Sequence, residues 1–158
     1  MAVISLPEGL ARRLLEEAKR RGVSLEELVL DELSSALDPA ERGRACWEAA
    51  EAMIERAEEE LSKGDLRQAS EKIWGAAALA VKAVAWATKG VRLASHGELW
   101  RFVDELAGET GDEDIREGWR AATAMHVNYH EGWAPEGEVR ACLRRVRSLL
   151  ERLRACIS

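Results

Sequence analysis

The chain is expected to fold as an all-α, up-and-down antiparallel helical bundle, with one short N-terminal strand as its only other regular element. Three observations predict this. The stretch Leu66–Lys89, LRQASEKIWGAAALAVKAVAWATK, carries one charge, Lys82, between Ile73 and its final residue. Leu79 and Trp86 fall on the side opposite Ile73, Ala77, Ala80 and Val84, and a helix apolar all round belongs in the middle of a bundle. The second observation is a recurring set of helix start and stop signals. The third is the shortness of the connections between them, which implies neighbouring antiparallel helices.

The totals agree. At 158 residues the chain has the size of one domain. A hydrophobic share of 47% beside 33% charged residues belongs to a globular protein, not a disordered one. A membrane span needs about 18–20 uncharged apolar residues. The run around Lys82 is too short for that, so no membrane association is expected. No charged start leads into an apolar signal segment, and the expected location is cytoplasmic. The net charge of −6 argues against indiscriminate coating of nucleic acid.

In chain order, residues 2–6, AVISL, suit a short strand. Pro7 suits the first position of a helix running to Arg21, with Leu10, Leu14, Leu15 and Ala18 as its inner stripe. Gly22 ends it, and Ser24 with Glu27 forms a capping box for a helix to about Leu37. Asp38, Pro39 and Glu41 repeat the start signal for a third helix that buries Cys46, Trp47, Ala50, Met53, Ile54, Ala57 and Leu61. Gly64-Asp65, with Gln68, starts the central helix and Gly90 closes it. Ser95 and Glu98 box the start of a short helix carrying Leu99, Trp100, Phe102, Val103 and Leu106, after which Gly108 and Gly111 loosen the chain. A helix from Asp112 to Trp133 follows. Beyond Gly132 and Pro135, the last one runs from Glu136 to about Ile157 on a stripe of Val139, Leu143, Val146, Leu150 and Leu153.

Cys46, Cys142 and Cys156 form no CxxC pair and no metal spacing. On one helix, Cys142 and Cys156 would lie ~21 Å apart, too far to bridge. All three read as small apolar thiols. The arginines of the last helix, Arg140, Arg144, Arg145, Arg147, Arg152 and Arg154, read as a solvated face whose cations suit the negative end of the helix.

The candidate chemistry lies on the helix from Asp112. Ile115, Trp119, Ala122, His126, Tyr129 and Trp133 share one face, so His126 interrupts an apolar stripe. A core histidine satisfied by one hydrogen bond would look the same. Arg120 lies six residues earlier, about 120° away around the axis and ~9 Å along it. The two would not touch on one helix, but could line one cleft if two such helices met in a symmetric dimer. Asn128, Tyr129 and His130 follow directly as binding candidates. His126 and His130 are one turn apart, but HVNYH lacks the carboxylate of HExxH, so no metal and no cofactor are expected.

The blocks ASEKIWGAAALAVKAVA, SHGELWRFV and W-x(5)-MHVNYHEGW resemble the archaeal PaREP family of small helical proteins, over residues about 38–157. That family is in turn similar to the HEPN superfamily of dimeric helical bundles. The resemblance implies a homodimer that acts on or binds RNA or nucleotides. It also implies a metal-independent endoribonuclease in which Arg120-x(5)-His126 is the catalytic pair. Histidine can serve as base or acid near neutrality, and the guanidinium fork can hold two phosphate oxygens. His96, Glu71 and Lys72 lie in the other matching blocks and join the binding candidates. For Glu71 and Lys72, a charge pair beside a buried Trp74 is the simpler reading. The alternative function is a non-catalytic helical module paired with a protein such as a nucleotidyltransferase. Its motive is six tryptophans against one Phe and one Tyr, since tryptophan often anchors interfaces.

Residues 1–37 separately resemble a ribbon-helix-helix module, leaving 38–158 as the HEPN-like bundle. The strand of such a module reads the major groove with polar side chains. Ala2, Ile4 and Leu6 on one face, with Val3 and Ser5 on the other, are poor for that purpose. Packing or dimerisation is expected of this segment, and DNA recognition is not.

Overall fold

The computed structural model describes residues 3–158, and every regular element among them is helical. The helices are α1 (Glu8–Arg21), α2 (Leu25–Leu33), α3 (Pro39–Ser62), α4 (Leu66–Lys89), α5 (His96–Thr110), α6 (Glu113–Glu131) and α7 (Glu136–Ala155), with a 3-10 turn at Ser34–Ala36. Residues 3–7 form no strand, and Ala2 lies outside the described residues. No described helix is long and apolar enough to cross a membrane.

The centre is α4, where every residue from Ile73 to Trp86 is buried. It pairs most extensively with α3, while α6 and α7 cover its other sides and α5 flanks α6. Its alanines permit this enclosure, because a helix lined with single methyl groups can be approached closely from several directions. The same device appears in the partners. A Cβ at Gly43 on α3 would meet the Ala83 carbonyl of α4 at 3.3 Å, and one at Gly118 on α6 would lie 2.7 Å from Leu149 Cβ on α7. The residues expected to be buried on α3 are all buried.

Helix ends follow local chemistry. Asp38 with Glu41 and Ser95 with Glu98 form complete capping boxes. Ser24 caps α2, but its box is half made: the Glu27 carboxylate reaches Lys82 of α4 instead. Pro7 is the cap of α1, not its first helical residue. Gly108 lies inside α5, which runs on to Thr110 before Gly111 turns it. Gly132 ends α6, so Trp133 lies outside the helix and is 47% exposed.

The N-terminal hairpin packs on the bundle through α2. Leu28 and Ala18 are buried, but Leu10 and Leu15 of the expected inner stripe are exposed, because the rest of α1 has no partner face among the described residues. Lys82, the lone charge inside α4, is answered by Glu27 at 2.6 Å and Asp31 at 3.2 Å. Burial alone would lower its pKa, but these two carboxylates outweigh that and hold the ammonium above its usual range. All three cysteines are free, with Cys46 and Cys142 buried and Cys156 half-buried. Burial pushes the first two thiols up to about 11, which makes them poor nucleophiles.

On α7 four of the six arginines have side-chain partners, and all but one of these lie on other elements. Arg140 pairs with Glu136, Arg147 with Glu58, and Arg152 with Asp112 and Asp114, while Arg154 lies 5.1 Å over the Trp47 ring.

Candidate functional site

The three histidines of the chain converge, although His96 starts α5 and His126 and His130 belong to α6. His126 is the hub. Its ring centroid lies 5.0 Å from His96 and 5.1 Å from His130, both edge-on, and 4.7 Å from Trp74 of α4. The complete box of Ser95 and Glu98 fixes the start of α5 and so sets His96 in place. One helical turn separates His126 from His130. Trp119 backs the cluster, 5.1 Å from Trp74, and is fully buried.

A cleft of about 580 Å³ opens on this cluster, within the range of about 300–1,000 Å³ common for small-molecule sites. Its walls include Arg67, Gln68, Glu71 and Trp74 of α4 and His126, Tyr129 and His130 of α6, with Lys19 and the turn Gly22-Val23-Ser24 on the hairpin side. Arg67 also fastens the corner of the site. Its Nε and a terminal nitrogen donate to the carbonyls of Tyr129 (2.9 Å) and His130 (2.7 Å) at the end of α6, where a cation suits the helix dipole.

Half-burial, and then the neighbouring His96 and His130, press the His126 pKa from 6.5 down to about 4. His126 is therefore neutral at pH 7, an acceptor through one ring nitrogen and a donor through the other. Burial, followed by the nearby Glu71 charge, raises the Tyr129 pKa, so its phenol keeps its proton.

The other residues singled out from the sequence divide. Glu71, Tyr129 and His130 line the cleft with His126, and His96 touches it ring to ring. Lys72 lies 3.5 Å from Glu71 but does not line the cleft. Asn128 is buried beneath it. Its amide nitrogen donates to Ser70 (2.8 Å) and its oxygen accepts from the Ala134 N–H (2.6 Å), which fixes the turn after α6. Arg120 stands outside the cleft, exposed and paired with Glu117 one turn earlier. As the helical wheel requires, it does not meet His126 within one copy. Arg67 and Lys19 are not marked in the sequence as cleft residues, because nothing in their local pattern distinguishes them from surface residues. Gln68 is marked there only as part of the start signal of α4.

Fold and cleft together define a small helical-bundle protein with a histidine-lined aromatic hollow. The profile of the archaeal PaREP1/PaREP8 family matches residues 45–150, and the chain belongs to that family. A crystal structure of a Sulfolobus solfataricus protein is similar, at 32% identity and a TM-score of 0.61, over 70% of this chain and 97% of that one. No curated protein matches.

Proposed function

We propose that the protein is a HEPN-like dimer that acts on or binds RNA or nucleotides, with the His126 cleft as its centre. The observation that carries this reading is the meeting of all three histidines, with His126, His130 and the buried Trp74 in the wall of a cleft of nucleotide size and His96 in ring contact with His126 beside it. Aromatic faces stack on bases, and imidazoles can exchange protons with ribose hydroxyls or donate to phosphate oxygens.

In the catalytic form of the proposal, the 2′-oxygen of a ribose attacks the adjacent phosphorus and the bond from phosphorus to the 5′-oxygen breaks. The neutral His126 ring takes the 2′-hydroxyl proton. The leaving 5′-oxygen takes a proton from a second imidazole in its protonated form, leaving a 2′,3′-cyclic phosphate, and the Arg120 guanidinium of a second copy balances the charge on the phosphorane. An exposed pair such as Arg120–Glu117 contributes little, so it can open for a phosphate. The test is to incubate the protein with single-stranded and structured RNA, with and without a chelator. Chelator-resistant cleavage that disappears in His126→Ala and in Arg120→Ala is expected. Cleavage that persists in His126→Ala would overturn the catalytic form.

A second reading rests on a separate observation. Trp100 and Trp133 are 40% and 47% exposed, with Val127 at 39%. Exposed tryptophans of this kind suit a non-catalytic module docked on a partner protein such as a nucleotidyltransferase. Loss of partner capture in Trp100→Ala and Trp133→Ala, with RNA left intact by the wild-type protein, would favour it.

A further inference from the structure

The α1–α2 hairpin lies across the histidine cluster. Its turn lines the larger cleft, and Val23 of that turn also lines a second hollow of about 510 Å³ that holds His96, Arg92 and Lys82. Trp74 borders both hollows. His96 lines one and His126 the other, yet their rings are in contact at 5.0 Å. Two hollows that share a wall and a cover, and whose histidines touch, are one groove with a crossbar.

The crossbar is held by a narrow grip. On the hairpin, Ala18 and Leu28 are its buried apolar anchors, with Leu30 partly buried against the core. The Lys82 ammonium with Glu27 and the partly buried Asp31 is its main polar one; the pairs made by the exposed Arg56 with Glu26 and the exposed Arg92 with Asp31 add little. The outer face of α1, with Leu10 and Leu15, stays open to solvent. Of the four buried side-chain polar atoms without a partner among the described residues, two belong to residues lining these hollows: the indole nitrogen of Trp74 and the second oxygen of Glu27. The Glu27 oxygen, itself on the hairpin, would gain a water partner if the hairpin lifted, which narrows the gap between docked and lifted states. Both hairpin helices also lie outside the stretch shared with the family, which begins at residue 45.

We propose that the hairpin is a detachable strap. Docked, it divides the histidine groove and leaves the larger half open to one ligand of about nucleotide size. Lifted, it opens a continuous groove past Trp74 that accepts a single strand. The ligand class rests on the RNA or nucleotide reading above; the strap does not.

The test uses the full chain and two independent variants that loosen the grip, Leu28→Ala and the double variant Glu27→Gln with Asp31→Asn. Hydrogen exchange shows what opens, and diethyl pyrocarbonate labelling read by mass spectrometry shows whether His126, half-buried in the wall of the larger cleft, becomes more accessible. Exchange across residues 18–33 should rise about tenfold while α4 and α6 keep their protection. His126 labelling should rise in step, and a single-stranded RNA oligonucleotide should bind about fivefold more tightly than to wild type. Three results would overturn the strap: hairpin exchange unchanged in both variants, a loosened hairpin with His126 labelling unchanged, or loss of protection in α4 and α6 together with the hairpin. Faster labelling with no RNA binding by any form would support the strap and remove the ligand class.

Discussion

The bundle and the N-terminal hairpin are both helical, yet they are held by different means. From α3 to α7 a continuous apolar core surrounds α4, so no helix can leave without exposing the others. Among the described residues, the hairpin adds only Ala18 and Leu28 to the buried apolar set and relies chiefly on a buried cation between two carboxylates, with the pairs made by the exposed Arg56 with Glu26 and the exposed Arg92 with Asp31 beside it. Apolar burial is non-directional and cumulative, whereas a buried ion pair fails when either member is removed. The bundle should therefore unfold as one unit, and the hairpin should be separable from it.

The most damaging single change should be Trp119→Ala. The ring is wholly buried against Trp74 and Trp100, and truncation of such a residue removes about 3–5 kcal/mol. Denaturant melts should show one transition at a much lower midpoint, with all of α3–α7 lost together. Lys82→Met should come next, at about 3 kcal/mol, by leaving the buried Glu27 without its cation and Asp31 with only the looser Arg92 at 3.8 Å. Its loss should be confined to the hairpin: exchange should rise across α1 and α2 and stay slow in α4. Equal loosening of both regions would erase the distinction between them.

A smaller effect should follow pH. The folded pKa of His126, about 4, lies below the unfolded value near 6.5, so the unfolded chain binds more protons between them. The stability contributed by the neutral ring is complete above pH 6.5 and is lost as pH falls toward 4. For a half-buried ring screened by solvent the loss is on the order of 1–2 kcal/mol. His126→Gln should flatten that part of the stability curve. Smallest of all should be Arg120→Ala, within about 0.5 kcal/mol of wild type, because its ion pair with Glu117 is exposed. A large loss of RNA cleavage with so small a change in stability would separate function from folding at that position.

What the sequence disclosed was whatever local chemistry decides. The boxes at Asp38 and Ser95 are complete because cap and partner lie three residues apart and need no distant group. The burial of α4 was legible for a similar reason, since its apolar residues leave no face for water. Expectations failed where a distant residue intervened or was missing. Glu27 left its box for Lys82, more than fifty positions away, and Leu10 and Leu15 found no partner face. The site was legible in part. His126 and its neighbours on α6 could be named from the wheel, but the meeting with His96 and Trp74 depends on how α5 and α4 pack. The membership of residues 45–150 in the PaREP family was readable from its separated blocks.

The central claim is that RNA or a nucleotide is held at the histidine cluster. With only three histidines in the chain, their Hε1 ring resonances form a spectrum of three assignable signals. Titration with a single-stranded RNA oligonucleotide should shift all three together, with His126 and His130 moving most and with one shared affinity. Binding that leaves the three signals in place, or no binding at all, would contradict the account.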